Sequence, residues 1–331
     1  MMNESYVAQD EGYQGYHSTL TADLQGIRTW DRILGSLFSF VTLVGLTGNG
    51  SACVYFWPRR KKTIHDLLYL AITAVDFITV LSSIPVIASL LNDRFPTFFG
   101  DKTLCDTWVS VTEFSTLMSI FLATLICVTR TVVMKYPQRP LKRSWVTAAI
   151  SGYAVFLLAT DLTYLSFKWT HGRYSPLTSY CSRVIDKAVP AYYAMVSFII
   201  KLTLPSFITL ACFVVGTWIL MTRPVLGHNN DRKFRRVSVT IAIFTAVFLV
   251  CNVAFFLYQM WLIFLAPSVN NIYSRTFQYY DRILLLFFPI FLNATANPLL
   301  YLLRMRGYQN WFRNAFTDIF GLINLANDQH I

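Results

Sequence analysis

The chain has 331 residues, of which 55% are hydrophobic and only 14% are charged. A soluble domain carries about 25% charged residues, so this composition excludes an ordinary soluble fold and favours a membrane protein. The net charge of +11 does not indicate a nucleic-acid partner, because the basic residues fall in short clusters between long apolar runs.

Seven apolar runs follow one another along the chain, and each is long enough to cross a bilayer as a helix. A crossing takes roughly 20 apolar residues for about 30 Å of hydrocarbon. We predict an all-α membrane protein, a seven-transmembrane helix bundle that occupies residues 33–304. The predicted crossings, named span 1 to span 7, are residues 33–57, 67–91, 104–134, 145–167, 189–221, 237–266 and 283–303.

The segments outside the bundle are short. Residues 305–320 place large apolar side chains such as Tyr308 and Trp311 on one face at helical spacing. A helix of this kind lies in the headgroup plane, so we predict a short amphipathic helix on the cytoplasmic side of the membrane. Residues 1–32 are predicted as an extracellular N-terminal tail and residues 321–331 as a short cytoplasmic tail.

The Lys and Arg residues are divided unequally between the two sides of the predicted membrane. Sixteen of them, with four acidic residues, fall on one side, whereas the other side carries ten basic and ten acidic residues. The positive side faces the cytoplasm, which places the N-terminus outside and the C-terminus inside. Asn3 opens an Asn-Glu-Ser sequon, so it is a predicted glycosylation site on the outer side.

Several polar residues lie at similar depths in the predicted bundle. A charged group in hydrocarbon is costly and needs a partner, and Asp76 stands in the middle of span 2. Ser119, Asn293 and Asn297 have depths at which they could meet it. Their oxygens suit a small cation such as Na⁺ or an ordered water cluster. The other interpretation is a hydrogen-bonded polar core that joins the helices, and both remain open. No other cofactor is predicted.

Two cysteines fall on the outer side of the predicted membrane. Cys105 opens span 3, and Cys181 lies in the loop after span 4. Disulfides persist in the extracellular environment, so we predict a bridge that ties this loop to the top of span 3. The alternative is two free thiols.

The dipeptide Asn297-Pro298 interrupts the backbone hydrogen bonds of span 7. Nearby side chains or water must satisfy the carbonyl that Pro298 leaves free. We predict a deformable joint with a polar lining, from which Tyr301, one turn further in, can swing toward water or toward the bundle. The alternative is a static kink.

"NPLLY", residues 297–301, resembles the NPxxY motif of rhodopsin-like (class A) G-protein-coupled receptors. Arg130 follows Cys105 by 25 residues, which is the spacing that this family uses between its disulfide cysteine and its inner arginine. The similarity extends from about residue 33 to residue 320. Further matches are "GLTGN" ending at Asn49, "LAITAVD" ending at Asp76, Pro205 in span 5, and Phe248 and Cys251 of the FxxCWxP motif.

The resemblance implies a plasma-membrane receptor rather than an enzyme. Its expected partners are an extracellular ligand, a heterotrimeric G protein and membrane lipids. The Cys251-Asn252 pair is similar to that of invertebrate neuropeptide-type and chemosensory-type receptors. The residues that the resemblance assigns to G-protein coupling and switching are Arg130, Asn297, Pro298 and Tyr301.

The chain also departs from the family pattern. The D/E-R-Y triplet is Thr129-Arg130-Thr131, and Phe234 stands where an acidic residue would be at the inner end of span 6. Arg130 therefore lacks its usual ion pair, and we expect a less firmly held inactive state with raised basal activity. Asn252 and Ala254 replace the Trp and Pro of the span 6 motif, so a switch built on a Trp ring is not expected.

The upper halves of spans 3, 5, 6 and 7 should line a ligand cavity. Thr112 occupies the position where amine receptors carry Asp, and Phe291 occupies the position of the Schiff-base Lys of opsins, so neither an amine nor retinal is indicated. Glu113 and Lys201 could pair and then release to a zwitterionic or peptide ligand, or they could form a permanent salt bridge. The predicted ligand contacts are Thr112, Glu113, Asp161, Lys201, Asn252, Tyr258, Gln259, Gln278 and Tyr279, the last four being otherwise interfacial anchors.

The sequence thus predicts a receptor that binds an extracellular peptide or a chemosensory small molecule and activates a G protein through movement of span 6. One alternative is a receptor-like protein that binds a ligand with weak or no signalling. A seven-span channel or transporter is less favoured, because the chain shows neither internal repeats nor rings of charge. A membrane-embedded metal enzyme is disfavoured because the five His are scattered over loops and tails.

Overall fold

The computed structural model describes residues 4–58, 63–91, 102–136, 138, 141–171, 196–197, 199–222, 243, 246–253, 288–315 and 317. Every regular secondary-structure element that these described residues form is a helix, as predicted. The helices run Glu4–Phe56, Ile64–Leu81, Ile84–Leu91, Lys102–Lys135, Arg143–His171, Leu204–Thr222 and Phe288–Arg304, with a π-helical turn at Ile199–Thr203.

Five of these helical stretches are long and apolar enough to cross a membrane, namely Thr29–Phe56, Ile64–Ala88, Asp106–Lys135, Arg143–Thr163 and Ile199–Ile219. They correspond to predicted spans 1 to 5. Span 7 is the shorter apolar helix Phe288–Leu303. Span 6 is described at residue 243 and over residues 246–253, where it is helical.

The first helix begins at Glu4, so the boundary predicted at residue 32 is not marked by a break in the helix. At the other end of the bundle, residues 306–315 are helical after span 7. Tyr308 in this segment is buried; its hydroxyl lies 2.7 Å from that of Ser51 and its ring 5.2 Å from that of Tyr55. Burial raises the pKa of the Tyr308 phenol above its usual value. The segment is held against the C-terminal end of span 1.

Span 2 begins with a capping box and is kinked near its C-terminal end. The Thr63 hydroxyl accepts from the Asp66 amide at 3.1 Å, and the Asp66 carboxylate accepts from the Thr63 amide at 3.0 Å. The helix breaks at Ser82, because Pro85 has no amide hydrogen to continue the helical hydrogen bonds. Trp108 of span 3 donates its indole N–H to the carbonyl of the buried Ser82 at 2.7 Å, which links span 3 to the kink.

The spans pack around one apolar core. Span 1 contacts spans 2 and 7, span 2 contacts spans 3 and 7, and span 3 contacts spans 4 and 5. Phe38 of span 1 illustrates the packing, since its ring meets those of Phe288 and Phe291 edge to face at 5.7 and 5.9 Å. Span 3 is the most deeply buried of the five long crossings, so it is the axis around which the others are arranged.

Two glycines let span 1 approach span 7 closely. A Cβ at Gly48 would lie 2.8 Å from Cγ of Pro298, and one at Gly45 would lie 2.6 Å from Oγ1 of Thr295. Both distances are shorter than van der Waals contact, so the two helices can sit at this separation only with small residues on span 1.

We expect Gly48→Ala to lower the melting temperature of the purified protein by about 5 °C or more, because the new methyl group must push span 7 away at Pro298. Gly152→Ala is the matched control, since a Cβ there meets nothing within 4 Å. Thermal unfolding of both variants in detergent measures the difference. Equal melting temperatures for the two variants would contradict the close approach of spans 1 and 7.

Candidate functional site

The centre of the bundle contains a buried carboxylate. Asp76 is 0% exposed and accepts two hydrogen bonds, one per oxygen. The Ser119 hydroxyl of span 3 donates to Oδ1 at 2.5 Å, and the Asn297 amide of span 7 donates to Oδ2 at 2.5 Å. Asn293, which we also placed at this depth, is half-buried and makes no hydrogen bond to Asp76. Three spans therefore meet at one carboxylate.

A side chain of span 1 replaces the backbone hydrogen bond that is lost at Pro298. Pro298 has no amide hydrogen, so the Ala294 carbonyl one turn earlier has no partner within its own helix. The side-chain amide of Asn49 donates to this carbonyl at 3.1 Å and to the Gly45 carbonyl at 3.0 Å. Asn49 thus helps to keep the weakened helix attached to span 1.

Arg130, near the C-terminal end of span 3, donates a hydrogen bond to the phenol oxygen of Tyr69 in span 2. Its guanidinium also lies 5.8 Å from the centre of the Tyr69 ring. Sequence reasoning missed Tyr69. The signal that could have found it is its position seven residues before Asp76, which places both side chains on the same face of span 2.

Tyr301 packs beside this pair. Its ring contacts those of Tyr69 at 5.2 Å and Phe56 at 5.9 Å, both edge to face. Its hydroxyl is buried and makes no hydrogen bond within the part of the chain that the structure describes. The ring of Tyr301 therefore connects the joint in span 7 to Tyr69, the partner of Arg130.

A second polar cluster joins spans 3, 4 and 5. The Lys201 ammonium lies 3.1 Å from Oδ1 of Asp161 and 3.7 Å from Oε1 of Glu113. The side chains of Lys201 and Asp161 are 7% and 9% exposed, whereas that of Glu113 is 28% exposed. The structure brings all three predicted ionisable residues together, with Glu113 as the more accessible and more distant partner.

Local backbone geometry explains why Lys201 points inward. It lies in the π-helical turn Ile199–Thr203, whose extra residue rotates the preceding side chains relative to the rest of span 5. Pro205 leaves the Lys201 carbonyl without a helical partner, and the Tyr153 hydroxyl of span 4 donates to it at 3.0 Å. The Tyr153 ring in turn stacks on Phe121 at 3.9 Å.

Two other predicted ligand contacts are buried and bonded within their own helices. The Thr112 hydroxyl donates to the Trp108 carbonyl at 2.8 Å, and the Asn252 amide donates to the Phe248 carbonyl at 2.7 Å. The predicted residues outside the described part are Asn3, Cys181, Tyr258, Gln259, Gln278 and Tyr279, as is the side chain of Cys105. The disulfide and the glycosylation site therefore stay predictions.

Comparison with known proteins identifies the class of this fold. The sequence profile of the family "7 transmembrane receptor (rhodopsin family)" matches residues 48–301, so the chain belongs to this family. Membership confirms the predicted class, the seven-transmembrane helical fold and the assignment as a receptor rather than an enzyme. It also establishes a multi-pass plasma-membrane protein, for which the family implies extracellular ligands and G proteins as partners in general.

The similar proteins are receptors at low identity. The chain is 25% identical to Chemerin-like receptor 2 of Homo sapiens over 344 aligned positions, which cover 96% of this chain and 87% of the relative. It is 24% identical to Chemerin-like receptor 2 of Rattus norvegicus, with 89% and 81% covered. It is 22% identical to Somatostatin receptor type 2 of Sus scrofa, with 87% and 78% covered.

Proposed function

We propose that this receptor binds an extracellular peptide and activates a heterotrimeric G protein through outward movement of the inner end of span 6. The observation that supports this most directly is a continuous series of contacts from Asp76 through Asn297-Pro298, Tyr301 and Tyr69 to Arg130. The relatives named as chemerin-like and somatostatin receptors favour a peptide over a chemosensory small molecule.

The Lys201 cluster is the proposed ligand-binding end. Lys201 can receive an anionic group of the ligand, such as a peptide carboxylate, and the accessible Glu113 can receive a cationic group. A ligand that replaces the 3.7 Å contact between them gains two ion pairs without breaking the closer Lys201–Asp161 pair. The alternative is a permanent interior salt bridge, for which ligand binding would not depend on Glu113.

The switch is a shift between two populations of the receptor. In the described conformation, span 7 is attached to span 1 through Asn49, and Arg130 is bonded to Tyr69. A ligand that favours a different bend at Pro298 displaces Tyr301 and frees Arg130 toward the cytoplasmic cleft. The basic loop at residues 222–236 borders this cleft in the predicted topology, where it can also attract anionic lipids.

A peptide-library screen in cells that express the receptor tests this function. Dissociation of labelled G proteins from each Gα class reports activation, and cells without the receptor provide the baseline. Dose-dependent dissociation that requires the receptor supports the proposal. Saturable peptide binding without dissociation in any class would support the alternative of a receptor that does not signal, and peptide-independent conductance in liposomes would support a channel.

The polar centre is also proposed to hold a sodium ion. The carboxylate oxygens of Asp76 and the hydroxyl oxygen of Ser119 are hard donors of the kind that Na⁺ takes, and they are buried together at the meeting point of three spans. Asn297 presents its amide N–H to the carboxylate, so Asp76 and Ser119 would supply the ligands. Bound sodium would neutralise the carboxylate in the membrane interior.

We expect the melting temperature of the purified receptor to rise by about 3 °C when NaCl replaces choline chloride at equal ionic strength. Asp76→Asn should remove this difference while it keeps the shape of the side chain. Asp106→Asn, near the start of the helix Lys102–Lys135 of span 3, is the control and should leave the sodium effect intact. A sodium effect of the same size in Asp76→Asn would rule out this site.

A further inference from the structure

Arg130 has no acidic neighbour in sequence, and the residue that stands in the place of that acid does not contact it. Thr129 is buried, and its hydroxyl donates to the Ile126 carbonyl of its own helix at 3.1 Å. The group that Arg130 reaches within the described residues is instead the phenol of Tyr69, on a different span.

The phenol of Tyr69 is held in place from several directions. Its ring stacks on Phe56 of span 1 at 5.5 Å and meets Tyr301 of span 7 edge to face at 5.2 Å. Tyr69 is 7% exposed, so the ring cannot rotate away into solvent. The orientation of the hydroxyl therefore depends on spans 1 and 7 together, although the residue itself belongs to span 2.

We propose that Tyr69 is the positioning residue that holds Arg130 in the inactive receptor, in the role that a neighbouring carboxylate would otherwise fill. This inference rests on the proposed function, because it assigns a role within the proposed switch. A phenol is a neutral acceptor, so this bond is weaker than the ion pair it replaces. Arg130 is therefore released more readily, and it is released by span 7, whose Tyr301 supports the ring.

Tyr69→Phe removes the hydroxyl and keeps the ring, so packing against Phe56 and Tyr301 is retained. We expect ligand-independent G-protein dissociation, normalised to receptor at the cell surface, to rise about 10-fold or more, which corresponds to the loss of one hydrogen bond to a charged group. Tyr308→Phe is the matched control. It removes a phenol that is bonded to Ser51 at the same end of the bundle, and it should leave the basal signal unchanged.

A second variant separates the positioning role from a general loosening of the bundle. Thr129→Asp in the Tyr69→Phe background returns an acidic residue to the position beside Arg130. We expect it to bring the basal signal back to the wild-type level or below, because the new ion pair is at least as strong as the lost bond. A merely structural defect from Tyr69→Phe would not be repaired in this way.

The inference is overturned if Tyr69→Phe signals at the wild-type basal level while Arg130→Ala loses signalling, since the proposed function then holds without it. If no G protein responds to any variant, the proposed function fails and the contact is tested by thermal unfolding. The decrease in melting temperature of the double variant Tyr69→Phe with Arg130→Gln should then be smaller than the sum of the two single decreases by at least about 2 °C. Additive effects would overturn the inference independently of signalling.

Discussion

Arg130→Ala is expected to reduce the maximal agonist-stimulated G-protein response more than 10-fold. Arg130 is a charged residue near the C-terminal end of span 3, and its partner Tyr69 is in contact with Tyr301 of span 7. The alanine variant has no cationic side chain that could reach the cytoplasmic cleft, so the active conformation loses the contact that Arg130 is proposed to make with the G protein. The same dissociation sensors that identify an agonist measure the response.

The control for this prediction is Arg143→Ala, which removes an exposed arginine at the start of span 4. Both variants should reach the cell surface, because the lost hydrogen bond of Arg130 leaves only a phenol unpaired, at a cost of about 1–3 kcal/mol. Surface labelling of an epitope at the N-terminus normalises the two responses. An undiminished maximal response in Arg130→Ala would refute the assigned role of this residue and the switch built on it.

The number of spans was predictable because the cost of burying polar backbone and charge in hydrocarbon acts locally along the chain. The same cost identified Asp76, Glu113, Asp161 and Lys201 as residues that need partners, and the depths of Ser119 and Asn297 were sufficient to place them beside Asp76. Depth alone was insufficient for Asn293, because two side chains at one level can face different sides of a helix.

What the sequence did not reveal depends on the packing of one span against another. In the sequence alone, Tyr69 and Tyr153 look like ordinary apolar or interfacial aromatic residues. Their hydrogen-bond partners lie on spans 3 and 5, so their roles become visible only in the packed structure. Two of the prolines that weaken a span illustrate the same limit. A free carbonyl can be predicted from Pro205 or Pro298, but the donor that satisfies it comes from a neighbouring span in each case, Tyr153 or Asn49.

The stiffness of the switch depends on which helix supplies the donor to a carbonyl that a proline leaves free. A carbonyl that is satisfied by its own helix stays bonded when two spans separate, whereas one that is satisfied by a neighbour resists their separation. The joint at Pro298 is therefore stiffer than its missing hydrogen bond suggests, because Asn49 must release the Ala294 carbonyl before span 7 can move away from span 1. In the proposed mechanism, the ligand supplies the free energy for this bend through its contacts with the Lys201 cluster.

Lys201→Met is expected to lower the melting temperature of the purified receptor by about 10 °C. Lys201 is the shared cation of Asp161 and Glu113 in the interior of the bundle, and removal of one partner from a buried ion pair costs about 3–5 kcal/mol. Methionine retains the length and the apolar stem of the side chain, so the loss reflects the charge. Lys135→Met, at the exposed end of span 3, is the control and should change the melting temperature by less than about 2 °C.

The double variant Lys201→Met with Asp161→Asn decides between the two interpretations of this cluster. Removal of the closest carboxylate should restore at least half of the lost thermal stability, because no unpaired charge then remains at the 3.1 Å contact. If the stable double variant no longer responds to the agonist, Lys201 contributes to ligand recognition as proposed. If it responds with unchanged potency, the cluster is a permanent salt bridge that shapes span 5, and the ligand must be recognised elsewhere in the outer half of the bundle.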